Sequence, residues 1–190
     1  MNTPPRAVID ACVLYSAPVR DLLIRLSQAG LVQCRWTNEI HEEWMRNVLK
    51  NNPRITRERL ERTRGLMDDA VRDCLVTEYA DLIDSLILPD PDDRHVLAAA
   101  IRSGSELIVT YNLTDFPIDV LSAHDIEALH PDDLITQVIE SDPDEACVAL
   151  KQQRESLKNP PLSVNDLLVM FEKQYLAQTV NRLRSFSDRI

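Results

Sequence analysis

Four acids, Asp10, Glu43, Asp93 and Asp115, are the residues best suited to chemistry in this sequence. They stand far apart along the chain, so only folding can bring them together. Two carboxylates about 4 Å apart repel by roughly 4 kcal/mol at an effective dielectric of 20. A shared cleft therefore obliges them to take up protons or bind cations. Ligands that offer only oxygen favour hard ions such as Mg²⁺ or Mn²⁺. A pair of such ions about 3.5–4 Å apart can activate water and stabilise the leaving oxygen in phosphodiester hydrolysis. Neither histidine nor cysteine is needed for that chemistry.

The elements around these acids give them a common edge. Arg6 to Ile9 carries the apolar run Ala-Val-Ile and reads as a buried strand that ends at Asp10. Pro18 opens a helix with Val19, Leu22, Leu23 and Leu26 on one face, and Gly30 is placed to stop it. A second strand lies near Leu31 to Arg35. Thr37 is an N-cap for a helix running to about Leu49, on which Glu43 shares a side with Ile40 and Asn47. Glu42 competes with Glu43 for the same role, and the spacing from Thr37 favours Glu43. Helices are expected from Thr56 to Arg72 and between Tyr79 and Leu86. The acidic loop Leu88-Pro-Asp-Pro-Asp-Asp93 then leads into a helix with Val96 to Ile101 apolar and Gly104 as its stop. Leu107 to Thr110 is β-branched and apolar, a central strand with Asp115 in the loop after it. Ile126 to Leu129 reads as one more strand.

Strands alternating with helices imply an α/β fold with a mostly parallel sheet covered on both faces. In such sheets ligands gather at the carboxyl ends of the strands, where Asp10 and Asp115 fall. From about Pro131 the chain reads as helical throughout, so a division into residues 1–130 and a helical extension at 131–190 is expected. The last segment opens at Ser163 with a near capping box, Asp166 standing in the glutamate position, and continues as a stripe of Leu167, Leu168, Phe171, Tyr175 and Leu176. That stripe must pack within the chain, in a homodimer, or against another protein.

Composition narrows the classes. Four scattered cysteines and four histidines without H-x-x-x-H spacing argue against a disulfide framework and a structural zinc. The first residues, Met-Asn-Thr-Pro-Pro-Arg, lack the pattern of a secretion leader, and no stretch reaches the roughly 18 apolar residues of a membrane span. The expectation is a cytoplasmic protein with no membrane partner. A net charge of −10 opposes nucleic-acid binding unless clustered acids hold cations that reverse the local field.

Four segments together carry a family resemblance. They are Val8-Ile-Asp10-Ala-Cys-Val-Leu14, Thr37-Asn-Glu-Ile-His-Glu-Glu43-Trp, Asp90-Pro-Asp-Asp93-Arg-His-Val-Leu-Ala-Ala-Ala100 and Val109-Thr110-Tyr-Asn112-Leu-Thr-Asp115-Phe-Pro117. In order and spacing, over about residues 5 to 130, this succession resembles the PIN domain, a 5′-nuclease-like fold. The resemblance implies an endoribonuclease that uses Mg²⁺ or Mn²⁺ and leaves a 5′-phosphate and a 3′-hydroxyl. It implies that Asp10, Glu43 and Asp93 hold the principal ion, with Asp115 completing the pocket or serving a second. Asp90 matches a neighbouring acid, and Thr110 and Asn112 match hydrogen-bonding supports. The pattern departs at Ala11, where Ser or Thr is common, and at Asn112, where an acid is frequent. Many PIN proteins are VapC-type toxins silenced by a small antitoxin. The expected role is the toxin of a type II toxin–antitoxin pair acting on RNA. The alternatives are an RNA-processing nuclease without an antitoxin, and a PIN-like module that binds RNA or protein without cutting.

Two further features are open to two readings. His41 and His95 lie near the acids and are read as packing or solvent-facing groups rather than ligands. The arginine-rich segment from Arg54 through Arg57 and Arg62 carries interspersed Glu58 and Glu61. It reads first as helix-surface ion pairs, and otherwise as a strip for RNA phosphate or an acidic partner.

Overall fold

A computed structural model describes residues 3–190; Met1 and Asn2, part of the stretch read for a leader, lie outside the described residues. The apolar run before Asp10 forms β1 (Arg6–Ile9), in which Ala7, Val8 and Ile9 have no solvent exposure. A five-residue helix follows at once, α1 (Ala11–Tyr15), and then α2 (Ala17–Gln28), with Pro18 in its first turn. The turn at Gly30 leads to β2 (Gln33–Arg35) and α3 (Asn38–Asn51), which the Thr37 side chain caps by accepting from the Ile40 amide at 3.1 Å. Thr56 caps α4 (Arg57–Ala70) in the same way.

A short α5 (Ala80–Ile83) precedes a tight 3-10 turn at Pro91–Asp93, where the Asp90 carboxylate accepts from the Asp92 amide at 2.9 Å. Next comes α6 (Arg94–Ser103), apolar on every side from Val96 to Ala100 and buried there throughout. It ends at Gly104, whose φ of +61° is a left-handed cap that glycine takes without strain. β3 (Leu107–Val109), α7 (Ile118–Leu121) and β4 (Glu127–Leu129) complete the α/β portion.

The four strands form a parallel sheet in the order β2-β1-β3-β4. From β1 the chain moves outward to β2, then returns across α3 to α6 and continues on the other side with β3. This reversal makes a crevice at the carboxyl ends of β1 and β3, the usual ligand position in open α/β sheets. Register fixes what faces it. Ile9 pairs with Val109, so Asp10 and Thr110 emerge side by side, and the Asp10 amide donates to the Val109 carbonyl at 3.0 Å.

Residues beyond β4 are helical: α8 (Pro131–Ser141), α9 (Pro143–Ser156), α10 (Val164–Glu172) and α11 (Ala177–Arg184). α9 and α10 pack against α2, and α11 lies on α8. The capping box of Ser163 with Asp166 is present. The stripe expected through Leu176 is not one helix. The chain breaks after Glu172, and Tyr175 sits at φ +61° with 77% of its surface exposed, while Leu167, Phe171 and Leu176 are buried. The expected role of Tyr175 in the apolar stripe is thus corrected. Among the described residues, no helix is long and apolar enough to cross a membrane.

Candidate active site

Asp10 is the buried acid of the crevice, 4% exposed. Its Oδ2 accepts from Thr110 Oγ1 at 2.7 Å and from Cys12 Sγ at 3.0 Å. Thr110 Oγ1 in turn accepts from the Asn112 amide at 3.0 Å, and Cys12 Sγ accepts from the Tyr111 amide at 3.3 Å. These bonds converge on one oxygen of one carboxylate. Burial pushes the Asp10 pKa up, the Cys12 and Thr110 donors pull it part of the way back, and the charge of Glu43 adds to the rise. Cys12 was not foreseen as a support. Its position two residues after Asp10, at the start of α1, is the signal that carried it. Burial and the neighbouring Asp10 charge hold its thiol firmly protonated.

Asp93 feels the charge of the other acids. It is half-buried, ahead of α6, and its pKa is pushed up to about 7, first by burial and then by Asp10, Asp90, Asp115 and Glu43. Five carboxylates from four segments thus share one electrostatic field. Glu42 turns away, pairing with Arg57 at 2.5 Å. Glu43 lies 3.7 Å from His95 Nε2. His95 is buried, and although burial opposes its charged form, Glu43, Glu39 and Asp10 together raise its pKa. Among the described residues, its Nδ1 has no hydrogen-bond partner. Asn112 serves through its backbone amide, with its side chain at an exposed position. Arg57 is engaged with Glu42 and Glu61, while Arg54 and Arg62 lie exposed on the surface.

The donor set suits a hard divalent ion in chemistry and in charge, because a cation relieves the repulsion felt at Asp93. The acids stand more loosely than a finished coordination shell: among the described residues, no three His, Cys, Asp or Glu side chains form a ready metal cluster.

Helix α3, which carries Glu43, is anchored by a buried polar network. Trp44 Nε1 donates to His41 Nδ1 at 2.9 Å, so the His41 proton sits on Nε2, 3.0 Å from Asp68 Oδ1. Trp36 Nε1 donates to the same Asp68 oxygen at 2.8 Å. Burial lowers the His41 pKa below its ordinary 6.5, against the opposing pull of Asp68. The unfolded chain therefore binds more protons below 6.5. The stabilisation is whole above that pH and is lost progressively as pH falls from 6.5 toward the depressed value. Relative to the unaltered protein, His41→Gln is therefore expected to gain a few degrees in melting temperature between about pH 7.5 and 5, the shifts of the other titrating groups being common to both. Thermal melts across the range will show it; an equal slope in both proteins rules the account out.

With fold and site in view, comparison with known proteins defines the class. The family model described as PIN domain matches residues 6–114, and the chain belongs to that family. Residues 131–185 match a second model, VapC50 C-terminal domain. Among individual proteins, the chain is similar to one from Mycobacterium tuberculosis named "Putative ribonuclease VapC50", 40% identical over 76 residues. The match covers 40% of this chain and 45% of that protein, less than half the length of each. No solved structure matches.

Proposed function

We propose that this chain is a divalent-metal-dependent endoribonuclease, the toxin of a type II toxin–antitoxin pair, acting on RNA in the cytoplasm and silenced by a small antitoxin protein. The observation that carries the nuclease reading is the acid field at the crevice, with Asp10 buried and the Asp93 pKa pushed up to about 7 by burial and by four other carboxylates. The toxin role draws support from the two family matches and from the name of the Mycobacterium tuberculosis relative. We assign residues 1–130 to the nuclease and 131–190 to a helical extension.

Asp10, Glu43 and Asp93 would hold the principal ion, with Asp115 completing the pocket. Bound there, Mg²⁺ or Mn²⁺ supplies Lewis-acid stabilisation of the phosphodiester and a nucleophile at neutral pH. The chain supplies orientation. Thr110 and Cys12 both grip Oδ2 of Asp10, which leaves Oδ1 for a ligand and prevents the carboxylate from turning. With its pKa pushed up to about 7, Asp93 would be the ligand whose proton a bound cation displaces.

Purified protein incubated with single-stranded RNA and Mn²⁺ should produce fragments ending in 5′-phosphates. Asp10→Asn and Asp93→Asn should each lower cleavage by about 10²-fold or more, the scale on which removing a key electrostatic contact acts. Equal cleavage by all three proteins would overturn the assigned site. The loose spacing of the acids favours one second reading, a PIN scaffold that binds RNA without cutting. RNA retention without fragments in the same assay would select it. Growth arrest on expression, relieved by a neighbouring small open reading frame, separates a toxin from a processing enzyme.

A further inference from the structure

We infer that Tyr175, presented by the turn between α10 and α11, is a stacking platform for a base of single-stranded RNA entering the acidic crevice; this rests on the nuclease reading above. The turn is held from two sides. Tyr111 Oη donates to the Gln174 carbonyl at 3.0 Å, and Ser16 Oγ donates to Gln174 Oε1 at 2.6 Å. So pinned, the turn displays the next residue outward. Tyr175 occupies φ +61°, a conformation that costs a bulky side chain and would cost glycine nothing. An aromatic ring kept 77% exposed on a strained backbone is not there for packing.

Its location connects it to the chemistry. The Tyr175 ring meets Tyr111 edge-on, with centroids 6.5 Å apart and planes at 72°, and Tyr111 meets His130 likewise at 5.0 Å and 78°. An edge-on contact covers the rim of a ring and leaves a face open. Tyr111 follows Thr110 directly and gives its amide to Cys12, and both Thr110 and Cys12 hold Asp10. Tyr175 is therefore joined to the Asp10 carboxylate through Tyr111, Thr110 and Cys12.

Charge favours bases over phosphates as the handle. At a net charge of −10 the chain offers little of the phosphate neutralisation on which most nucleic-acid binding depends. Stacking on an aromatic face asks for no positive charge and tolerates any base.

The test uses the full chain with a short oligouridine, measuring KM and kcat with Mn²⁺ and affinity by filter binding in EDTA. Tyr175→Ala is expected to raise KM and weaken binding by about tenfold with kcat unchanged, and Tyr175→Phe, which keeps the ring, to restore both. Tyr175→Gly should bind as weakly as Tyr175→Ala while melting about 2–4 °C higher, because the backbone strain is gone. Unchanged KM and affinity in Tyr175→Ala overturns the platform and leaves the nuclease intact. A wild-type protein that neither binds nor cuts RNA overturns both, and one that binds without cutting, with affinity lost in Tyr175→Ala, keeps the platform and removes the nuclease.

Discussion

At pH 8 without divalent ions, Asp93→Asn should unfold at a higher temperature than the unaltered protein. The reason is the direction of its shift. The native state raises the Asp93 pKa from 3.8 to about 7, so between those values the folded protein keeps a proton that the unfolded chain releases. The penalty on folding is absent below pH 3.8, grows as pH rises, and is complete above 7. About three units at 1.36 kcal/mol each set an upper bound near 4 kcal/mol, and solvent screening of the half-buried group brings this to roughly 1–2 kcal/mol. Asparagine carries no charge at any pH and escapes it. At pH 4 the two proteins should therefore melt alike. If Asp93 holds the ion as proposed, adding Mn²⁺ should reverse the order at pH 8, since an ion at 100 times its Kd stabilises by about 2.7 kcal/mol and the variant would lose that gain. Calorimetric melts at the two pH values, with and without Mn²⁺, measure all four quantities. A destabilised Asp93→Asn at pH 8 would refute the repulsive acid field.

Asp132→Ala should fail in the opposite direction. This carboxylate, 4% exposed at the start of α8, accepts the amides of Gln178 and Thr179 at 2.8 Å each, one oxygen to each amide. It is the N-terminal cap of α11, supplied by another helix. Truncation leaves one buried and one part-buried amide without acceptors, at about 1–3 kcal/mol apiece where no water replaces them. A loss of about 2–4 kcal/mol follows, or roughly 4–16 °C for a chain of this size. Asp132→Asn, which keeps one acceptor, should fall between the two. Because α11 rests on α8, protease sensitivity should rise first within residues 164–190. An unaltered melting temperature in Asp132→Ala would show that α11 is seated without this cap.

Locally encoded features were the most readable ones. Thr37, Thr56 and Ser163 announce their helices because a hydroxyl and an amide three residues later need nothing else to meet. The runs ahead of Asp10 and Asp115 were legible as strands because buried parallel strands are apolar without alternation. α1 was missed: Ala-Cys-Val-Leu-Tyr is too short to display a helical period. The break at Tyr175 was missed because no glycine or proline marks it; tertiary bonds to Gln174 impose the turn. The acids of the site could be named in advance, since a carboxylate at a strand end has a predictable edge. So could Thr110, which leaves the neighbouring strand beside Asp10, but Cys12 could not. A cysteine reads as a core residue, and only the fold brings its sulfur to Asp10. The Asp68 network joins residues of α4 to Trp36 and α3 by contacts that no spacing rule contains.

That network also gives the molecule a built-in gauge. Both tryptophans of the chain, Trp36 and Trp44, flank His41 and are almost wholly buried, and the Arg20 guanidinium lies over the Trp44 ring. Intrinsic emission therefore comes from one place, the root of the helix that bears Glu43. A shift to longer wavelength announces that this root has loosened, whatever the helices at the far end of the chain are doing, and no dye or label has to be introduced to see it.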